Sequence, residues 1–231
     1  MDIFFLILEY IGIVAFSVSG AMVAIDKEAD YVGVLLMSLT TSFSGGIMRD
    51  LFLGATPPKF FTSLQPQVAI CVTASVAVIV LAAVFKRGFV RNEKRIAAVN
   101  NIVDAVGLGV FSVSGTKIAV ELGFSSPLIA ISMGIITAVG GGLTRDLILR
   151  DIPFIIRKRV YAVASLIGAA VYYILAVHLK ADEVVSLGAG VLAAFTLRLL
   201  ATVFKWNIPK AINFATLEKK MKEEEQTGEK Q

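Results

Sequence analysis

One stretch of the chain recurs about ninety-five residues later. Phe16-Ser17-Val18-Ser19-Gly20 returns as Phe111-Ser112-Val113-Ser114-Gly115. Ser44-Gly45-Gly46-Ile47-Met48-Arg49-Asp50-Leu51-Phe52-Leu53 returns as Gly140-Gly141-Gly142-Leu143-Thr144-Arg145-Asp146-Leu147-Ile148-Leu149. Glu9-x-x-Gly12 has its echo in Asp104-x-x-Gly107, and Pro57 has its echo in Pro153; one extra residue between the blocks moves the offset from 95 to 96. Each copy carries three apolar segments. An odd number sends the second copy into a membrane from the opposite side. This is the inverted-repeat plan of membrane permeation proteins, with the pathway where the copies meet.

The composition agrees with a membrane setting. Apolar residues are 56% and charged residues 17% of the 231, against roughly a quarter charged in a soluble domain. No charge interrupts 68–85, and none interrupts 184–197. Such runs match the ~20 residues that cross ~30 Å of hydrocarbon. Seven spans are predicted, at 3–25, 31–54, 67–85, 98–122, 126–149, 160–179 and 184–204. The segments lack the alternation of barrel strands, so they read as helices. The predicted fold is all-α and polytopic, two inverted three-helix repeats plus one extra helix. The expected units are 1–90, 96–180, a seventh helix at 184–206 and a polar cytoplasmic tail at 207–231, of which 219–231 is too polar to pack.

Cation placement sets an expected orientation. With the N-terminus outside, sixteen of the 22 lysines and arginines face the inner side: Lys27, Lys86, Arg87, Arg91, Lys94, Arg95, Arg150, Arg157, Lys158, Arg159 and six lysines from Lys205 on. Lys59 and Lys180 face out, and Arg49, Lys117, Arg145 and Arg198 lie within spans. That bias is the positive-inside signature. It assigns the net charge of +4 to topology and anionic-lipid contact, not to nucleic acid. The first segment is expected to stay in the mature chain: it carries Asp2 and Glu9 instead of a basic start, and its FSVSG run recurs in the fourth. Cys71 is a lone cysteine, so no internal disulfide forms.

The second and fifth spans carry the chemistry. Each meets consecutive glycines, or Ser44 followed by glycines: Ser44, Gly45 and Gly46 in one, Gly140, Gly141 and Gly142 in the other. Glycines cost about a kcal/mol each in a helix interior, so a kink or break is expected there, exposing carbonyls and N–H groups to a wet path. Close helix packing through small residues is the competing reading. Arg49-Asp50 and Arg145-Asp146 follow within a turn. Two pairs, Glu9 with Arg49 and Asp104 with Arg145, are expected to neutralise these intramembrane charges, with snorkelling of each arginine as the alternative.

Ser17, Ser19, Ser112, Ser114, Thr116, Thr40, Thr41, Ser42, Ser44 and Thr137 put hydroxyls beside the glycines. As a set they read as the lining of a narrow path; singly, each can bond its own helix carbonyls. Such oxygens suit a monovalent cation near Gly45, Gly46 and Gly141, and no carboxylate cluster suggests a divalent site. Phe16 and Phe111 stand at matching places and could plug the path, or simply pack. Lys117, with Glu121 one turn on, has Met22 as its counterpart; it reads as a gating charge or a snorkelling anchor. Arg198 reads as a snorkelling anchor helped by Trp206, and His178 as an interfacial residue. No nucleophile elbow, zinc-histidine motif, phosphate loop or cysteine pair points to an enzyme, and no cofactor is implied.

At its paired GG-x-x-RD-L-x-L-x-x-x-P and FSVSG blocks, over about residues 3–204, the chain resembles the prokaryotic trimeric intracellular cation (TRIC) channels, a group overlapping a bacterial family of duplicated glycine-transporter domains. The resemblance implies a homotrimer in the cell (inner) membrane, one pore per subunit, permeable to potassium and less selectively to sodium, formed around the glycines of the second and fifth helices. Ser44 departs from the second copy's Gly140, so the first break is expected to be milder. A carrier for glycine or a similar zwitterion, using the same site, is the alternative.

Overall fold

The computed structural model describes residues 3–62, 65–85, 92–157, 160–204 and 206. Cations counted above at 86–91, 158–159 and 205, and the tail at 207–231, lie outside the described residues. Seven helices are long and apolar enough to cross a membrane, each end within three residues of the predicted one: Ile3–Asp26, Tyr31–Phe52, Gln65–Val84, Arg95–Glu121, Pro127–Ile148, Val160–His178 and Glu183–Val203.

In chain order, the elements are α1 (Ile3–Asp26), α2 (Tyr31–Phe52), the short α3 (Lys59–Thr62), α4 (Gln65–Val84), α5 (Glu93–Glu121), α6 (Pro127–Ile148), the short α7 (Phe154–Arg157), α8 (Val160–Tyr173) and α9 (Glu183–Val203). A π-helical turn, Ile174–His178, extends α8. The starts follow capping chemistry. Asp30 accepts from the Gly33 N–H at 2.7 Å, Asp182 accepts from the Val185 N–H at 3.1 Å, and Pro127 opens α6, where a missing N–H costs nothing.

The repeat extends to the helix ends. α1 and α5 both finish on a left-handed residue, Glu28 (φ 57°) and Gly123 (φ 91°), with Ala29 N–H donating to Ala24 and Phe124 N–H to Ala119, each at 3.0 Å. α2 and α6 do the same at Gly54 (φ 70°) and Arg150 (φ 55°), with Ala55 N–H on Asp50 at 2.8 Å and Asp151 N–H on Asp146 at 2.9 Å. The same stop therefore falls at the same repeat position, whether or not glycine occupies it.

α1 packs on α2, α4 and α5; α2 crosses α6; α5 packs on α6, α8 and α9. The repeats thus meet through α1–α5 and α2–α6, and α9 lies outside both, against α5 and α8. The shared core contains Phe16, Phe43, Leu108, Phe111, Tyr161 and the fully buried Cys71. Ile3, Ile7, Ile11 and Val14 along α1, and Val72, Val76 and Val80 along α4, present the spaced apolar face that a bilayer requires.

Candidate functional site

α2 and α6 stay helical straight through their glycines. The expected break is therefore corrected. In hydrocarbon, a freed backbone group costs several kcal/mol, more than glycine's poor helix propensity, so the ladder holds. What the glycines do instead is let the two helices touch. A Cβ on Gly45 would collide with the Thr137 carbonyl, and one on Gly141 with the Thr41 carbonyl. Gly140 lies against Gly45, where a Cβ would come within 2.9 Å of the Gly45 Cα. The Ser44 hydroxyl bonds Thr40 O at 2.7 Å and reaches Gly140 O at 3.4 Å. Gly46 and Gly142 point away from this contact, with Arg49 Nη2 and Arg145 Nη2 each 3.7 Å from the added Cβ.

A cavity lies on either side of the crossing. The first, about 50 Å³, is bordered by Glu9, Ser42, Gly46, Arg49, Asp50 and Gln67. The second, about 290 Å³, is bordered by Lys27, Asn101, Asp104, Arg145, Asp146 and Asp151. Glu9, Arg49 and Asp50 correspond through the repeat to Asp104, Arg145 and Asp146. Phe60 of α3 flanks the first, whereas Lys27 and Asp151, ion-paired at 3.0 Å, belong to loops at the other end of the helices. We call them the Glu9 and Asp104 vestibules.

Phe16 and Phe111 pack on each other across the repeats, ring centroids 5.0 Å apart and tilted by 37°, and Phe111 borders the Glu9 vestibule. Each ring rests on a glycine of the opposite repeat: Gly107, where a Cβ would enter the Phe16 ring, and Gly12, where it would come 3.3 Å from Phe111 Cε2. The glycines of the Glu-x-x-Gly and Asp-x-x-Gly echoes are thus seats for the two phenylalanines. The sequence shows their repetition, but a contact between repeats leaves no mark in local spacing.

The charges pair only partly as expected. Arg145 Nη1 stands 3.8 Å from Asp104 Oδ1, with Nη2 2.9 Å from Asp146 Oδ1. It also donates to Ser19 Oγ at 3.1 Å, and Ser19 donates to Asp104 at 3.4 Å. Glu9 and Arg49 do not pair. Arg49 bonds the neighbouring Asp50 twice, at 2.7 and 2.9 Å, and Asp50 Oδ2 also accepts the Lys59 N–H at 2.9 Å. Glu9 instead accepts from Ser114 at 3.0 Å. Arg49 and Arg145 are buried, so neither snorkels.

The hydroxyls are mostly committed to helix carbonyls: Ser17 to Cys71 at 2.7 Å, Thr41 to Met37 at 2.7 Å, Ser112 to Gly109 at 2.8 Å, Thr116 to Ser112 at 2.8 Å and Thr137 to Met133 at 2.6 Å. Ser17, Ser19 and Ser112 are fully buried. Of the set, Ser42 and Thr137 border the Glu9 vestibule.

Lys117 meets the expected Glu121, while Arg198 departs from expectation. Lys117 borders neither vestibule; its ammonium bonds Glu121 at 2.6 Å and Glu183 of α9, 5.1 Å from the Phe5 ring centroid, drawn to the α5–α9 seam by two carboxylates. Arg198 is 1% exposed and therefore no snorkelling anchor; it lies over the Tyr161 ring at 5.1 Å and donates to Thr202 Oγ1 at 3.1 Å. Its helix face is turned to α8 and α5, where an aromatic face receives the guanidinium. Tyr161 also hydrogen-bonds Asp104. Trp206 stacks on Phe204 at 6.1 Å, and His178 meets the Tyr173 ring edge-on at 5.4 Å. Gln67 and Tyr161 are site-adjacent residues that sequence reasoning missed.

A family model described as Glycine transporter matches the chain twice, over residues 6–86 and 101–177. A UPF0126 membrane protein of Vibrio cholerae is 32% identical over 204 residues, 88% of this chain and 81% of its own length. The UPF0126 inner membrane protein YadS of Escherichia coli K12 is 33% identical over 206 residues, 87% of this chain and 92% of its own. The TRIC trimeric intracellular cation channel orthologue from Rhodobacter sphaeroides superposes with a TM-score of 0.78 at 34% identity, over 89% of this chain and 100% of that one. The chain belongs to the TRIC-like, glycine-transporter-domain family. A prokaryotic TRIC channel solved in 0.5 M KCl gives a TM-score of 0.79 at 30% identity, over 90% of this TRIC-like chain and 100% of the other.

Proposed function

We propose that this protein is a monovalent cation channel, conducting potassium and less selectively sodium, with one path in each subunit of a homotrimer surrounded by membrane lipid. The path runs from the Glu9 vestibule to the Asp104 vestibule past the α2–α6 crossing. One observation carries this reading: two charged cavities, bordered by charged residues that the repeat makes equivalent, lie toward opposite ends of the helices, and one ring of the Phe16–Phe111 pair borders the first. Cations are favoured because carboxylate, hydroxyl and amide oxygens border the Glu9 vestibule while its one arginine is held by Asp50. Similarity to structures described as TRIC cation channels supports the same class. The two repeats, 1–90 and 96–180, form the conducting unit, with the seventh helix as a brace.

In planar bilayers with potassium chloride, the purified protein is expected to give discrete unitary currents. Gly46→Leu should abolish them in a folded oligomer, because Gly46 borders the Glu9 vestibule and faces away from the crossing. Unchanged conductance in that variant would place the path elsewhere. Silence combined with saturable glycine uptake would favour a carrier. The uninterrupted α2 and α6 weigh against that alternative, since a carrier of this kind uses broken-helix ends to hold a carboxylate.

The N-terminus lies outside and the C-terminal tail in the cytoplasm, on the strength of the sixteen-to-two cation bias. A cysteine placed in the tail is expected to resist an impermeant thiol reagent on intact cells and to react after permeabilisation. Labelling of intact cells would reverse the orientation.

A further inference from the structure

We propose that Glu9 and Gln67 form a binding site for a single, partly dehydrated monovalent cation in the Glu9 vestibule, a proposal that deepens the channel reading and rests on it. The first observation is an inequality between residues that the repeat makes equivalent. Asp104 has Arg145 at 3.8 Å, the Ser19 hydroxyl at 3.4 Å and the Tyr161 hydroxyl. Glu9 has the Ser114 hydroxyl at 3.0 Å and, among the described residues, no ion pair. Its expected partner is engaged elsewhere: Arg49 closes on Asp50 at 2.7 Å, and that pair is neutral. Arg49 and Lys59 act on Glu9 only through space. The carboxylate of Glu9 thus faces the vestibule with its charge uncompensated by direct contact.

The second observation is independent. Gln67, at the start of α4, is only 6% exposed and borders the same cavity, yet its Oε1 has no hydrogen-bond partner among the described residues. Buried polar oxygens in folded proteins are satisfied almost without exception, so this one calls for a donated proton or a cation. The hydroxyls beside it are committed elsewhere. Ser42 spends its hydroxyl hydrogen on Ile13 O at 3.3 Å, and Thr137 spends its own on Met133 O at 2.6 Å. Apart from the Arg49 guanidinium, which Asp50 holds, the groups at the cavity present lone pairs. A carboxylate, an amide oxygen and two hydroxyl oxygens are the donor set of a hard cation.

Size and charge narrow the class. The cavity of about 50 Å³ exceeds the ~10–15 Å³ that one water needs, and accommodates one ion with a small share of its hydration shell. One uncompensated carboxylate matches one positive charge. No group of three or more histidine, cysteine, aspartate or glutamate residues capable of holding a metal occurs among the described residues. Potassium and sodium fit this arrangement; calcium does not.

Thallium(I) is the probe. Crystals of the full chain exchanged from potassium into thallium salt should show an anomalous peak between Glu9 and Gln67, absent in Glu9→Gln and in Gln67→Leu. In detergent, the wild-type Tm should rise with potassium at constant ionic strength against N-methylglucamine. Glu9→Gln should weaken this response at least about tenfold, as loss of the paired charge requires. Gln67→Glu, which adds a carboxylate, should make the Tm respond to barium, a gain that misfolding cannot imitate. A water-only density in thallium, or a Glu9→Gln protein with an unchanged potassium response, overturns the site. Unitary currents without a thallium peak overturn the site and leave the channel standing; a thallium peak and a Tm response without currents do the reverse.

Discussion

Gly45→Ala and Gly141→Ala are each expected to destabilise the protein by about 1–3 kcal/mol or more, with loss of folded oligomer at the upper end. The new methyl group in either case meets a main-chain carbonyl, Thr137 O or Thr41 O, and a carbonyl inside a helix cannot swing aside like a side-chain tip. The two helices must separate, and the Phe16 ring, which would come within 3.5 Å of a Gly141 Cβ, must follow. Gly46→Ala is the internal control. Its Cβ has no neighbour closer than 3.7 Å, and alanine gains helix propensity, so this variant should be neutral or slightly more stable. Thermal unfolding of the three variants in one detergent makes the comparison. Equal stability of Gly45→Ala and Gly46→Ala would mean that α2 and α6 do not touch as described.

The second large effect concerns the rings. If the vestibules form one path, Phe16 and Phe111 stand between its halves, and Phe16→Ala with Phe111→Ala should raise the open probability severalfold and make potassium leak across vesicle membranes. Truncating a buried phenylalanine costs ~3–5 kcal/mol, so the double variant needs expression at low temperature. Phe111→Leu, a smaller change at the more exposed ring, should show the same direction with less loss of stability. A folded Phe111→Leu protein with wild-type open probability, alongside a double variant that does not leak, would reduce both rings to packing.

Much of this arrangement was legible beforehand, and the exceptions have physical causes. The seven spans followed from uninterrupted apolar runs because a bilayer leaves helices few alternatives. The Asp104–Arg145 pair followed from the repeat. The glycine breaks did not materialise, because local propensity near 1 kcal/mol per residue yields to a membrane's demand for intact backbone bonds. Arg49 turned to Asp50 although Arg145 also reached across to Asp104, and identical motifs cannot reveal such a difference in side-chain course. Ser19 and Ser114 bond carboxylates of the opposite repeat, a relation invisible to helical spacing. Arg198 is near the end of the last span in sequence, yet Tyr161, thirty-seven positions earlier, supplies the surface that keeps it inside.

The reciprocal seating of Gly45 on Thr137 and Gly141 on Thr41 also has a mechanical consequence. Backbone meets backbone there twice, so the crossing resists sliding and closer approach but leaves rotation about itself less hindered. It is a fulcrum. Tilting α2 over α6 at such a pivot widens one vestibule only by narrowing the other, a seesaw that suits alternating access and cannot by itself hold both ends open together. Continuous flow through this scaffold therefore depends on parts lighter than the helices, the aromatic side chains poised beside the pivot.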